Sequence, residues 1–276
     1  MARDGFRVVD CHHHVGSLES LGMAMTGEDG RDPATVEVER RLAAMDANGV
    51  DAAVVIPGHG YLRPNGQADT SAANDAIAAY RDARPDRFPA AVGVVEPMHG
   101  VPECVAELRR MRDQLGIVGV SIHARFQGVA TDSPLVIGAV REACELGMLP
   151  FLHAVDGVAD EALWKVQKVA RAVPDHPVLV LDALSGLEHA RQSLIIGAET
   201  PNMVFDVSLA HHPMFVDDLL AVVGPERIVF GTDYYSMMPP PLHAGVLDDI
   251  VASAHPASTK AAILAGNLER LLGIGA

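Results

Sequence analysis

The segment Phe6-Arg7-Val8-Val9-Asp10-Cys11-His12-His13-His14 turns from an apolar run into five consecutive residues that can bind a cation or carry a proton. In an extended strand successive side chains point to opposite faces, so the alternation predicts Asp10, His12 and His14 on one face and Cys11 and His13 on the other. Two imidazoles two residues apart at the end of a buried strand can reach the same cation. Neutral imidazole suits Zn²⁺ and other transition ions, so this stretch reads as half of a metal site.

Further residues of the same types recur along the chain, each just past an apolar run. They are His59, Glu96, His123 with Arg125, His153, Asp182, Asp206 with Ser208 and then His211 and His212, and Asp233. Ionisable groups gathered at one place are costly unless paired or bound to metal, so the series reads as a ring of chemistry rather than packing. Singly, each has a plainer reading. His59 serves equally as a loop histidine, Glu96 as a helix cap, Asp206 as an internal hydrogen-bond acceptor, and His211 and His212 as solvated side chains. Arg125 is either an anchor for a substrate carboxylate, whose geometry its two-pronged donor set matches, or half of a surface ion pair. His99, His176, His189 and His255 are expected at the surface.

The elements that would position this ring are regular. Short apolar runs rich in Val and Ile fall at 7–11, 52–56, 90–95, 118–122, 149–152, 178–181, 203–207 and 228–230. They lack polar alternation, which marks strands buried on both faces. Helical patterns lie between them at 35–48, 70–83, 101–115, 134–146, 160–172, 187–197, 214–223 and 242–254, with a last one at 258–272. Gly49 and Gly116 are placed as C-caps, and Ser258 as an N-cap. Eight strands alternating with eight helices in 276 residues predict a (β/α)8 TIM barrel, an α/β fold spanning 1–276 as one domain. No Gly-rich phosphate loop follows the first strand, which weakens the open-sheet alternative. In a barrel the ring of residues falls at the C-terminal mouth, where the loops 15–33, 58–69 and 234–241 would shape a pocket.

Composition excludes several classes. A net charge of −15 opposes nucleic-acid binding. No apolar run reaches the ~18 residues of a membrane span, and the N-terminus lacks a signal-peptide pattern. Three scattered cysteines, Cys11, Cys104 and Cys144, suggest a reducing compartment and hence a cytoplasmic protein rather than a disulfide scaffold.

With these residues in view, the sequence resembles the amidohydrolase superfamily, in its compact branch of aminocarboxymuconate-semialdehyde decarboxylase-like proteins. Asp10-Cys11-His12-His13-His14 resembles the Asp-x-His-x-His signature, Phe151-Leu152-His153-Ala154 the strand-5 histidine, and Arg227 to Tyr234 the strand-8 aspartate motif. Gly266 to Leu272 resembles the closing helix. The resemblance implies that His12, His14, His153 and Asp233 hold one divalent ion, Zn²⁺ first and Mn²⁺ as the alternative, with Asp233 also acting as acid and base. No lysine ends strand 4, so a bridged two-metal site is not indicated. A homodimer is implied by the resemblance alone. One departure stands out: the family's strand-6 histidine aligns with Ala183, in Leu181-Asp182-Ala183-Leu184. Asp182, His123 or His211 would have to substitute for it, or Asp182 simply orients a ligand.

Three activities follow. The leading expectation is metal-dependent hydrolysis of a small carboxylated lactone, amide or cyclic ester, with Asp233, His123 and Asp182 catalytic and Arg125, His59 and His211 binding substrate. Metal-dependent decarboxylation is the second. A barrel that has lost catalysis and only binds is the third, motivated by Ala183 and opposed by the presence of all four ligand types.

Overall fold

The computed structural model describes residues 3–16, 30–58, 63–235 and 245–275. Its strands are β1 (Val9–Val15), β2 (Ala52–Pro57), β3 (Ala90–Val94), β4 (Gly119–Ile122), β5 (Leu149–His153), β6 (Val178–Leu181), β7 (Met203–Asp206), β8 (Ile228–Val229) and β9 (Tyr234–Tyr235). All neighbouring pairs are parallel, in the order β8-β7-β6-β5-β4-β3-β2-β1-β9. The two end strands, β8 and β9, are consecutive in the chain, separated by four residues that include Asp233. The Cys11 N–H donates to the Phe230 carbonyl at 3.0 Å, so the sheet closes on itself as a (β/α)8 barrel.

Helices α1 (Pro33–Asn48), α2 (Gln67–Ala83), α3 (Val101–Leu115), α4 (Ala124–Gln127), α5 (Pro134–Glu145), α6 (Leu163–Arg171), α7 (Leu187–Glu199), α8 (Pro213–Val223), α9 (Gly245–Ala252), α10 (Ala257–Ala261) and α11 (Asn267–Leu272) follow the strands. Gly49 and Gly116 adopt left-handed φ values of 71° and 60° and cap α1 and α3, as their positions predict. The boundaries differ from expectation where the helical pattern is shared with other backbone. The helix expected at 160–172 begins at Leu163, after a 3₁₀ turn over Ala159–Glu161. The one expected at 258–272 is broken into α10, a π-turn over Ala262–Gly266, and α11, and Ser258 does not cap it. The break lets this segment tuck beneath the barrel: Phe230 N–H donates to the Ile263 carbonyl, and the Asn267 amide to that of Ile228.

Inward residues of alternate strand positions, including Val9, Val54, Val92, Phe151, Leu181 and Val229, pack with Leu268 into a floor beneath the mouth. A larger cluster joins the outward strand faces to the helices. Burial of both faces explains the continuous apolar runs.

The strand-1 alternation does not hold as expected. Between Asp10 and His13 the register against β2 slips, a β-bulge with one extra residue on β1. Cys11 lies in the inner cluster, and Cys11 and His12 both border Gly231. Asp10 is thereby turned away from His12 and His14 and pairs with His13 (Nε2 to Oδ2, 2.9 Å). Its carboxylate also accepts from the His12 N–H, the Thr232 N–H and the Thr232 hydroxyl, tying the bulge to the segment that carries Asp233.

Gly231 sits at this seam. A Cβ there would lie 2.8 Å from Asp206 Oδ2, 2.9 Å from Cys11 Sγ and 3.2 Å from His12 Cβ. None of these is the tip of a flexible side chain. Gly231→Ala is expected to destabilise the fold by about 1–3 kcal/mol, read as a lowered urea midpoint at unchanged slope. An unchanged midpoint would show that the seam is looser than described.

Candidate metal centre

Each strand end delivers its side chain for a local reason. The bulge turns His12 inward together with His14, and β5 ends on His153. Asp182 and Asp233 follow β6 and β8 with left-handed φ values of 63° and 55°. Aspartate tolerates that region better than most residues, and non-glycine residues held there cluster at functional sites.

The side chains converge. His12 Nε2 lies 3.0 Å from His14 Nε2, which lies 3.4 Å from His153 Nε2. Asp233 Oδ1 is 3.4 Å from both His12 Nε2 and His14 Nε2. The three histidines are buried, while 21% of the Asp233 side chain stays open to the mouth. The other ring nitrogens show what the converging ones must be. His12 Nδ1 is 2.9 Å from Asp206 Oδ2, His153 Nδ1 is 3.0 Å from the Ile122 carbonyl, and His14 Nδ1 is 3.3 Å from that of Pro57. Each partner only accepts, so each Nδ1 carries a hydrogen and each Nε2 is the atom left to meet a cation or a second proton. Three lone pairs and a carboxylate oxygen within hydrogen-bond distance repel unless a cation or proton lies among them. The residues present therefore fit a divalent ion held by imidazoles and a carboxylate, with Asp206 behind His12 in the carboxylate–histidine arrangement common to such sites.

The electrostatics agree. Burial lowers the proton affinity of His12, but Asp182, Asp233 and Asp206 outweigh it and lift the imidazole to about 10. Burial pushes Asp233 well above the usual carboxylate range, and Asp182 adds to the push. Burial likewise raises Asp182, with Asp206 adding and His12 opposing. Such a cluster of carboxylates invites positive charge.

Of the remaining expected residues, Asp182 lies 3.8 Å from His12 Nδ1 and accepts the Ser208 hydroxyl at 3.0 Å. Ala183 belongs to the outward cluster against the helices, so a histidine at that place in the chain would not face the mouth; Asp182 supplies the polar group there. His123 is buried and stacks on His153 with ring centroids 3.9 Å apart and planes 4° apart. Arg125 is exposed, its guanidinium 4.6 Å from the Phe126 ring centre, and its charge lowers Asp182 and Asp233. Among the described residues its side chain forms no ion pair. His211 is exposed and bonds the Ser185 carbonyl at 3.0 Å, at the rim; His212 accepts the Met214 N–H as the N-cap of α8. Glu96 sits at the N-cap of a 3₁₀ turn over Pro97–His99, but its side chain bonds no N–H of that turn and pairs with Arg63 at 3.3 Å. His189, expected at the surface, is buried and bonds the Ala154 carbonyl. His59 lies outside the described residues, as do 17–29 of the first loop and 236–244 of the last.

Two contributors were missed in the sequence. Glu161, inside a stretch read as helix, is buried against His123 (2.5 Å to Nδ1). Arg41, on α1, is fully buried and donates to the His14 carbonyl and to Glu37, with Tyr80 and Tyr234 rings beside it. A charged residue on the inward face of the α1 pattern is the signal that could have exposed it.

A family model described as amidohydrolase matches residues 9–274. No curated protein matches by sequence. Solved structures do. The chain is similar to 5-carboxyvanillate decarboxylase from Sphingomonas paucimobilis (18% identity, TM-score 0.73, 98% of this chain and 100% of that one). It is also similar to a 2,6-dihydroxybenzoate decarboxylase in complex with 2,6-dihydroxybenzoate (17%, 0.70, 99% of each). A third is a dihydroxybenzoic acid decarboxylase from Polaromonas with bound manganese and 2-nitroresorcinol (15%, 0.70, 97% of each). Among the described residues no helix is long and apolar enough to cross a membrane.

Glu96 offers a pH test of the mouth's low polarity. Burial pushes its carboxyl from 4.5 to about 7 against the pull of Arg63. The fold thus binds this proton more tightly than the unfolded chain does. The penalty is absent below about pH 4.5, grows as pH rises, and is complete above about 7, reaching on the order of 3 kcal/mol. Glu96→Gln should therefore stabilise the protein at pH 8 and leave it unchanged at pH 4.5, measured by urea unfolding at both. A gain independent of pH would refute the assignment.

Proposed function

The chain belongs to the amidohydrolase family, and from that premise we propose that it is a metal-dependent decarboxylase of a small aromatic carboxylic acid. One observation carries the reading: three imidazole Nε2 atoms and the Asp233 carboxylate converge at the mouth of a barrel whose similar solved structures include several decarboxylases. The neighbours support this chemistry above the hydrolysis favoured by sequence alone. The convergence also speaks against a barrel kept only for binding. His12, His14, His153 and Asp233 are assigned as ligands. The ion is divalent, and manganese takes precedence over zinc because a neighbour binds it.

The walls suit a flat ring. Tyr235 stacks on His14 with centroids 4.5 Å apart, and Phe126 stands edge-on to His123 at 4.6 Å. The ion, when bound, would polarise the oxygens of a chelating substrate. The residues of the chain do the rest. Arg125 anchors and orients an anionic substituent through its exposed guanidinium. Asp206 and Asp182, with Ser208, hold His12 in the Nδ1–H form. Asp233, the one cluster carboxylate open to the mouth, delivers a proton to the ring carbon. As the bond to the carboxylate breaks, its electron pair goes to that carbon, CO₂ leaves, and Asp233 regains a proton from solvent. His123 and His211 border the substrate from strand 4 and the rim, and His59 belongs to the same proposed substrate group.

The test is CO₂ release by the manganese-loaded protein from a panel of hydroxylated benzoates, with carboxylated lactones in parallel. Decarboxylation of an aryl acid is expected, with Asp233→Asn lowering kcat by about 10²–10⁴-fold. Arg125→Ala should raise KM about tenfold at nearly unchanged kcat. Water-consuming lactone opening without CO₂ would restore hydrolysis, and turnover of neither class would favour a binding role.

A further inference from the structure

His153 is held on two sides. Its Nδ1–H is fixed by the Ile122 carbonyl along one edge. Its face lies on His123, nearly parallel. That second ring is itself fixed from outside the ligand set: Glu161 Oε1 accepts from His123 Nδ1 at 2.5 Å and from the Arg125 backbone N–H at 2.9 Å. On the strand-4 side, the His123 N–H donates to Gln127, whose amide donates to the Val95 carbonyl. Glu161 is fully buried and reaches this corner from the 3₁₀ turn after β5. A carboxylate that bonds one imidazole nitrogen fixes both its tautomer and its plane.

We propose that Glu161 is a positioning residue for the metal centre, fixing His123 so that its ring braces His153 in the plane that aims His153 Nε2 at the ion. The inference rests on the metal reading above and adds a residue remote from the ligand cluster. The stacked faces limit rotation about the His153 side-chain bonds, which the edge-on bond to Ile122 does not restrain by itself. The requirement at position 161 is an acceptor of two N–H groups, not a negative charge. Glutamine meets it through its amide oxygen, while leucine fills the space and accepts nothing. At position 123 the requirement is a flat ring with an Nδ1–H that bonds Glu161.

The experiment is Mn²⁺ titration of the metal-stripped full chain, followed by the EPR signal of free Mn²⁺, for wild type, Glu161→Gln, Glu161→Leu, His123→Phe and His123→Ala. Circular dichroism checks the fold of each variant. Outer partners of metal ligands carry about 10–100-fold in affinity. Glu161→Leu, His123→Ala and His123→Phe, whose flat ring cannot bond Glu161, are expected to weaken binding by at least tenfold. Glu161→Gln should stay within about threefold of wild type. A Glu161→Leu protein that folds and binds as wild type does overturns the inference while leaving the metal reading intact. Equal loss in Glu161→Gln and Glu161→Leu overturns it too, since charge rather than positioning would then be at work. Failure of the wild type to bind Mn²⁺ overturns both. The metal-free protein supplies a second readout: long-range ¹H–¹⁵N NMR should show His123 as the Nδ1–H tautomer in wild type and Glu161→Gln. A tautomer mixture in wild type would count against the inference whatever the affinities.

Discussion

Three imidazole nitrogens and one carboxylate oxygen, all within 3.0–3.4 Å of a neighbour in the cluster, face one another at the barrel mouth. Such an arrangement demands a cation or a proton among its atoms, and the raised proton affinity of His12 expresses that demand. It persists because the far side of every ring is tied to an acceptor on a rigid element: Asp206 on β7, and the carbonyls at the ends of β4 and β2. A cation there would meet that demand, so the fold presents the site already formed.

Much of the molecule follows from supporting that cluster. The β1 bulge exists to turn His12 inward beside His14, and Asp10 holds the bulge by bonding the backbone and side chains of both β1 and the Thr232 segment. Gly231 leaves the space into which Cys11, His12 and Asp206 crowd. Arg41 brings a buried charge against the His14 carbonyl, and Glu37 and Tyr80 each accept one more of its N–H groups. A buried ion pair of this kind contributes little net stability but fixes one geometry.

The barrel was legible in the sequence because its strands are buried on both faces and its helices carry local stop signals such as Gly49 and Gly116. The ligand types were legible because they follow those strands. What escaped depends on contacts between distant segments. The bulge that parts Asp10 from His12 is set by pairing with β2 and by Thr232, neither of which shows in the local alternation. Glu161 was hidden because a 3₁₀ turn and a helix start share the same short-range pattern. The choice between hydrolysis and decarboxylation was less legible: Ala183 signalled a loss, whereas the neighbouring Asp182 places a carboxylate at the end of β6.

The most direct test of the central claim is X-ray absorption at the manganese edge of the loaded protein. The account predicts one ion per chain with the multiple scattering of three imidazoles and at least one oxygen in its nearest shell. A shell of oxygens alone, or no retained manganese, would contradict it.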